Sequence, residues 1–244
     1  MMEKLSTEQL KRCDDIKANY ETIINNIALA AKQSGRKPED ITLLAATKTV
    51  EPVFINYAIS LGLKFIGENK VQELLSKYEE YDLNNADLHF IGHLQTNKVR
   101  QLVGKVSMIQ SVDSFRLAKE ISNRSAQNDV ITDILIEVNI GREENKSGVL
   151  PEDLNKLIEE ISPLGSLRVK GLMSVPPICD SKKEISEYFD QMYKIFVDIS
   201  SKTSDNINMD ILSMGMSEDY KEAILSGANM VRVGSALFGT RIYR

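Results

Sequence analysis

Between Cys13 and Ala31 the residues Cys13, Ile16, Tyr20, Ile23, Ile24, Ile27 and Ala31 recur every three or four positions, the spacing of one buried helix face. Ser6 and Gln9 precede that run at capping-box spacing, and Ser34-Gly35 follows it as a stop signal. A long N-terminal helix is therefore expected. Beyond Gly35 the pattern changes, and short apolar, β-rich runs alternate with amphipathic stretches, the signature of repeated βα units. Eight runs read as strands, at 42 to 47, 63 to 66, 88 to 91, 106 to 110, 132 to 139, 167 to 172, 209 to 212 and 230 to 233, each followed by a helix-compatible segment.

Eight such units predict an α/β fold, a single (β/α)8 barrel of the TIM type preceded by the long helix. A doubly wound open sheet is the alternative. No Pro/Gly/Ser-rich linker or low-complexity tract divides the chain, so residues 1–244 read as one domain.

Composition removes several function classes. With 42% hydrophobic and 27% charged residues and a net charge of -5, the 244-residue chain is ordinary for a globular protein and has no basic excess, which argues against nucleic acid as a partner. The longest early apolar stretch, Ile27 to Ala31, is too short to cross a bilayer or to form a signal core, so a cytoplasmic protein without a membrane partner is expected. Cys13 and Cys179 fit no metal or redox spacing and read as reduced structural thiols. His89 and His93 share a face if His89-Phe90-Ile91-Gly92-His93 is a strand, but no Cys or acid stands at ligand spacing, so no metal site is expected.

Barrels of this kind do their chemistry at the C-terminal ends of the strands. Here those ends are polar and glycine-rich: Lys48, Gly67-Glu68-Asn69, Gly92-His93, Ser111-Val112-Asp113, Asn139, Met173-Ser174, Ser213-Met214-Gly215 and Gly234-Ser235. Ser111, Asp113 and Ser114 also suit the cap of a helix starting near Phe115, and Asn69 the cap of the helix after the second strand. Lys48 is the most informative of them. It closes the apolar run Ile41 to Thr47, where burial would disfavour the charged form and make the amine a nucleophile able to form a Schiff base with an aldehyde. The ordinary alternative is a lysine that snorkels into water.

The last two βα loops of such barrels often grip a phosphate with backbone N–H groups and a helix start. Val233-Gly234-Ser235-Ala236 and Leu212-Ser213-Met214-Gly215 both offer a strand end, a glycine and a hydroxyl. Ser217 reads as a helix N-cap with Glu218 and Asp219 in its first turn, acids that would repel a phosphate, so Ser213 and Ser235 are the expected phosphate hydroxyls. Arg232 lies between Val231 and Val233, and period-two alternation points it into the barrel if the valines pack outward. There it can serve a pyridine nitrogen, or pair with a barrel acid such as Glu137.

Several segments together are distinctive: Ala46-Thr47-Lys48-Thr49, Ile66-Gly67-Glu68-Asn69-Lys70-Val71-Gln72-Glu73, His89 to Lys98, Lys146-Ser147-Gly148, Gly171-Leu172-Met173, Leu212 to Ser217 and Val231 to Ser235. In order and over nearly the whole chain they resemble the pyridoxal phosphate homeostasis proteins, the YggS/PROSC family. The resemblance implies a barrel like the N-terminal domain of alanine racemase, with pyridoxal 5'-phosphate (PLP) held as a Schiff base on Lys48. It implies that Asn69 lies beside the cofactor, that Ser213, Met214, Gly234 and Ser235 form the phosphate cup, and that Arg232 lies near the ring nitrogen. Thr47 stands where that family often has serine, and Lys70 where tyrosine is common.

The function so implied is that of a non-catalytic PLP-binding protein, a monomer that buffers PLP, passes it to PLP-dependent acceptor enzymes and affects amino- and keto-acid metabolism indirectly. The alternative is a PLP-dependent amino-acid racemase or decarboxylase, which normally needs a second domain or subunit to close its site. The stretch from Ser235 to Arg244 is too short to supply one. A barrel isomerase acting on a sugar phosphate would use the cup but leave Lys48 without a role.

Overall fold

The computed structural model describes residues 5–201 and 206–239, so the tail from 240 to 244 considered above lies outside the described residues. Eight parallel strands, β1 (Thr42–Ala46), β2 (Phe65–Glu68), β3 (Asp87–Phe90), β4 (Met108–Val112), β5 (Thr132–Glu137), β6 (Leu167–Met173), β7 (Ile207–Ser213) and β8 (Met230–Val233), pair in chain order, and β8 returns to β1 to close the barrel. Helix α1 (Thr7–Gln33) precedes it. The crossovers carry α2 (Pro52–Ser60), α3 (Val71–Lys77), α4 (Phe115–Gln127), α5 (Leu154–Ile161), α6 (Lys182–Ser200) and α7 (Tyr220–Leu225), and α8 (Ser235–Phe238) follows β8.

The expected barrel and leading helix are present, with local differences that have physical causes. Between β3 and β4 the connection is the 3-10 stretch Thr96–Gln101, where Val99 is the buried residue; a single apolar position gives an α-helix no face to dock, and docking supplies most helical stability. Strand β2 starts later than its apolar run because Leu63 is engaged elsewhere: its N–H bonds the Ala58 carbonyl at 3.2 Å and closes α2. Ser114 occupies the N-cap of α4, yet its hydroxyl donates to Asp113 Oδ1 at 3.0 Å instead of capping the helix. Lys70, not Asn69, stands at the N-cap of α3.

In α1 the capping box forms as expected, with Gln9 N–H donating to Ser6 Oγ at 3.2 Å and Ser6 N–H donating to Gln9 Oε1 at 2.9 Å. Cys13, Ile16, Ile23, Ile27 and Ala31 are buried and Ala30 joins them, while Tyr20 is half buried and Ile24 is exposed. Ile24 falls past the edge of a stripe centred on Ile16, Ile23 and Ile27, each of which contributes about 1.5–3 kcal/mol by burial. The helix packs on α7 and α8. There Asn26 Nδ2 donates to the Tyr220 hydroxyl at 3.0 Å and Asn19 Nδ2 to the Leu237 carbonyl at 3.1 Å, so α1 braces the two elements that follow β7 and β8.

Strand residues alternate between two cores. Leu43, Ala45, Ile66, Val231 and Val233 belong to the large core under the helices, whereas Met108, Leu135 and Met173 form a small cluster inside the barrel. With both valines outward, Arg232 faces the interior.

Candidate ligand site at the barrel mouth

The strand ends open on a cleft of about 1510 Å³ whose floor includes Ala46, Lys48, Ser217, Arg232, Gly234 and Ser235. Lys48 follows β1 in a tight turn and is half buried, an amine at the rim of the barrel and not deep inside it. The cleft runs outward past the first turns of α1 and the segment 176–182.

Below the cleft, Arg232 is buried and donates from NH1 to Ser213 Oγ at 2.7 Å and from NH2 to the Ser174 carbonyl at 2.9 Å. Ser213 in turn donates to Gln110 Oε1 at 2.7 Å, and Gln110 Nε2 lies 2.8 Å from His89 Nδ1. With its amide oxygen occupied by Ser213, Gln110 donates to the ring nitrogen. The barrel interior is thus crossed by a chain from Arg232 to His89. Burial lowers the Arg232 pKa to about 10, opposed by the charges of Glu137 and Asp219, and lowers that of His89 to about 4. Glu137 makes no ion pair with Arg232, whose two hydrogen bonds go to neutral acceptors. Its own Oε2 is buried without a partner, and burial, then the charge of Asp113, pushes its pKa up to about 7 against the pull of Arg232.

At the β7 and β8 ends the backbone is tightly folded. Gly215 adopts φ +89°, the left-handed region that glycine enters without strain. That turn swings the chain so that Ser217 Oγ receives the N–H groups of Gly234 and Ala236, both at 3.2 Å. At Gly234 a Cβ would stand 3.1 Å from the Ala46 carbonyl and 3.3 Å from the Ala46 Cβ; the bare backbone there lets β8 close on β1.

This geometry corrects the expected roles of the serines. Ser217 is not a helix cap, since α7 starts at Tyr220 with Asp219 at its N-cap and Asp219 Oδ1 accepts from Met216 N. Ser213 is completely buried, with its hydroxyl committed to Arg232 and Gln110, and it does not line the cleft. Met214 is buried in the outer core. Asn69 is half buried behind β2, with Oδ1 shielded and unpartnered, and it too lies off the cleft lining. Lys48, Arg232, Gly234 and Ser235 share the cleft. His89 and His93 are not a pair. β3 ends before Gly92, His89 lies inside the barrel with its ring 5.6 Å from that of Phe65, and the His93 side chain is exposed.

Residues 16–242 match the alanine racemase N-terminal domain family. A pyridoxal phosphate homeostasis protein of Aquifex aeolicus is 42% identical over 221 residues, covering 91% of this chain and 96% of its own. The chain belongs to the pyridoxal phosphate homeostasis protein family. Among solved structures, an unknown protein from Bifidobacterium adolescentis superposes with a TM-score of 0.90 at 31% identity, covering 97% of this chain and 98% of its own. PipY of Synechococcus elongatus PCC7942, solved with PLP bound, superposes with a TM-score of 0.76 at 30% identity, covering 87% of this chain and 100% of its own.

For this member of the homeostasis protein family, sequence reasoning missed Gln110 and His89 as parts of the site's foundation. The signal was available: the parity argument that turned Arg232 inward applies equally to a glutamine two positions after Met108. Ser217 carried no comparable signal, because its partners lie on another strand end.

Proposed function

We propose that this protein binds PLP at Lys48 and serves PLP homeostasis by holding and releasing the cofactor. The observation that carries this reading is the convergence, in one cleft, of a primary amine, a buried guanidinium and a serine hydroxyl that gathers two backbone N–H groups. The parts fit the cofactor. Ser217, whose oxygen accepts the Gly234 and Ala236 N–H groups and whose hydroxyl proton is left to donate, suits a phosphate together with Ser235, Arg232 suits the ring nitrogen, and Lys48 suits the aldehyde. Bound there, PLP supplies an aldehyde that condenses with a primary amine and releases water. Ser213 takes part through Arg232, whose NH1 it receives; Met214 holds the β7 end in the core; Asn69 offers its unpartnered oxygen beside β2.

A donor that is charged at neutral pH, placed at the ring nitrogen, opposes its protonation and weakens the ring as an electron sink. That supports a carrier over a racemase or decarboxylase, as does the name borne by the relatives. Among the described residues no helix is long and apolar enough to cross a membrane. Our reading is a monomeric cytoplasmic carrier that passes PLP to apo forms of PLP-dependent enzymes. Borohydride reduction of the PLP-loaded protein should fix the cofactor on the Lys48 peptide in mass spectrometry, and Lys48→Ala should lose the label; a label that persists unchanged in Lys48→Ala overturns the site. Saturable, Lys48-dependent racemisation of amino acids above the free-PLP rate, followed by chiral chromatography, overturns the carrier role.

A further inference from the structure

Both residues that flank Lys48 are tied to one charged cluster on the far side of the barrel wall. Thr47 is completely buried, and its hydroxyl lies 2.8 Å from Glu68 Oε1 and 3.1 Å from the Gly67 carbonyl. Thr49 donates its backbone N–H to Glu73 Oε1. Lys77 joins these elements: its Nζ donates to the Thr47 carbonyl at 3.2 Å, to Glu68 Oε1 at 3.1 Å and to Glu73 Oε1 at 2.6 Å, which uses its whole donor capacity. Tyr81 adds its hydroxyl to Glu68 Oε1 at 2.7 Å. Glu68 is completely buried, and it faces outward with Ile66, two positions earlier on β2, which packs in the outer core.

The turn so gripped is a strained one. Thr49 has φ +65°, a left-handed conformation that costs a β-branched residue of order 1–3 kcal/mol unless the surroundings impose it. Here the imposing contact is Glu73 on its N–H, while Lys77 holds the preceding carbonyl. Lys48 therefore stands between two anchored residues, and the direction in which its side chain leaves the turn is set by α3 and β2.

We propose that Glu73, Lys77 and Glu68 are positioning residues for Lys48, holding the 47–49 turn so that the amine meets an aldehyde carried in the cleft. The proposal rests on the reading of Lys48 as the PLP lysine, and it concerns the condensation of that amine with the aldehyde, in which water leaves. The test compares two ligands, PLP and pyridoxine 5'-phosphate, which keeps the ring and phosphate but has no aldehyde, so only PLP uses the position of the amine. In Glu73→Ala and Lys77→Met, PLP affinity and the borohydride-fixed fraction on Lys48 should fall about tenfold, with a displaced pH profile of the adduct absorbance, while pyridoxine 5'-phosphate binds as in the parent. Glu73→Gln, which keeps an acceptor for the Thr49 N–H, should restore most of the fixed fraction. Equal weakening of both ligands, or no change in either, overturns the proposal. Glu73 is on the partly solvated edge of the cluster, so its variants test the idea even if Lys77→Met does not fold. If the unmodified protein shows no label on Lys48, the site reading itself has failed, an outcome visible before any variant is made.

Discussion

Two polar networks lie on opposite sides of the barrel wall at its mouth, and they hold their cations in opposite ways. Outside, Lys77 contacts two carboxylates and a carbonyl, and Glu68 Oε1 collects a lysine, a threonine and a tyrosine. Inside, Arg232 donates among the described residues to a hydroxyl and a carbonyl and to no carboxylate; a carboxylate oxygen without a partner is found in both networks, Glu137 Oε2 here and Glu68 Oε2 outside. The outer network sets its one cation directly against two carboxylates, with neutral donors from Thr47, Thr49 and Tyr81 taking up the excess negative charge, because an unpaired buried ion is expensive. The inner one keeps a cation and an acid apart. A cation held only by neutral acceptors at the floor of a cleft has capacity left for a ligand.

If that contrast is sound, breaking the outer network should cost more stability. Lys77→Met leaves Glu68 buried beside Glu73 with no cation; with 13% of the lysine side chain exposed, the loss should lie at the low end of the range for a broken buried pair, about 3 kcal/mol in urea unfolding. Arg232→Met leaves neutral acceptors and removes a desolvated charge, so about 1–2 kcal/mol is expected. The reverse order would sink the comparison.

The inner network should also show itself through pH in the PLP-free protein. Glu137 has a folded pKa of about 7 against an ordinary value of 4.5, so between those limits the folded state keeps a proton that the unfolded state has released. Stability from this group is therefore present at low pH and lost as pH rises toward 7. Glu137→Gln should gain about 1–3 kcal/mol above pH 7 and almost nothing at pH 4; a gain independent of pH would show that the charge is not the cause. His89 acts in the opposite sense. Its folded pKa of about 4 lies below the ordinary 6.5, so stability is lost as pH falls through that window. Once Glu137 is replaced, the acid-side decline from His89 should be more pronounced, because the opposing contribution of Glu137 is gone.

The smallest stability effect separates the two serines. Ser217→Ala should cost no more than about 1 kcal/mol of folding free energy while weakening PLP retention about tenfold, equivalent to 1.4 kcal/mol. Ser213→Ala opens the chain between Gln110 and Arg232, so its larger effect should be on stability. Equilibrium dialysis with thermal melts reads both quantities, and PLP loss from Ser213→Ala alone would restore the original assignment of the phosphate hydroxyl.

Much of the fold was legible because βα repetition writes itself into local periodicity. The runs around Leu44, Phe90, Ile109, Ile134, Val169 and Val231 lie in strands near their expected places, and the spacing of Ser6 and Gln9 foretold a real capping box. Parity also oriented Arg232 correctly. The 3-10 stretch at Thr96–Gln101 and the early end of β3 were not legible, since both depend on which neighbours a short segment finds to pack against.

By itself the sequence determined the barrel, its long leading helix and the positions of Lys48, Arg232 and Gly234 at strand ends, because these follow from period and order along the chain. Only the tertiary structure decided that Ser217 replaces Ser213 in the cleft, that Arg232 is held by a hydroxyl and a carbonyl and not by Glu137, and that α3 grips the turn around Lys48. Each of these is a contact between residues brought together by barrel closure or by a crossover helix folding back. Hydrogen-bond choice at such junctions depends on distances of a few tenths of an ångström, which no pattern along the chain encodes.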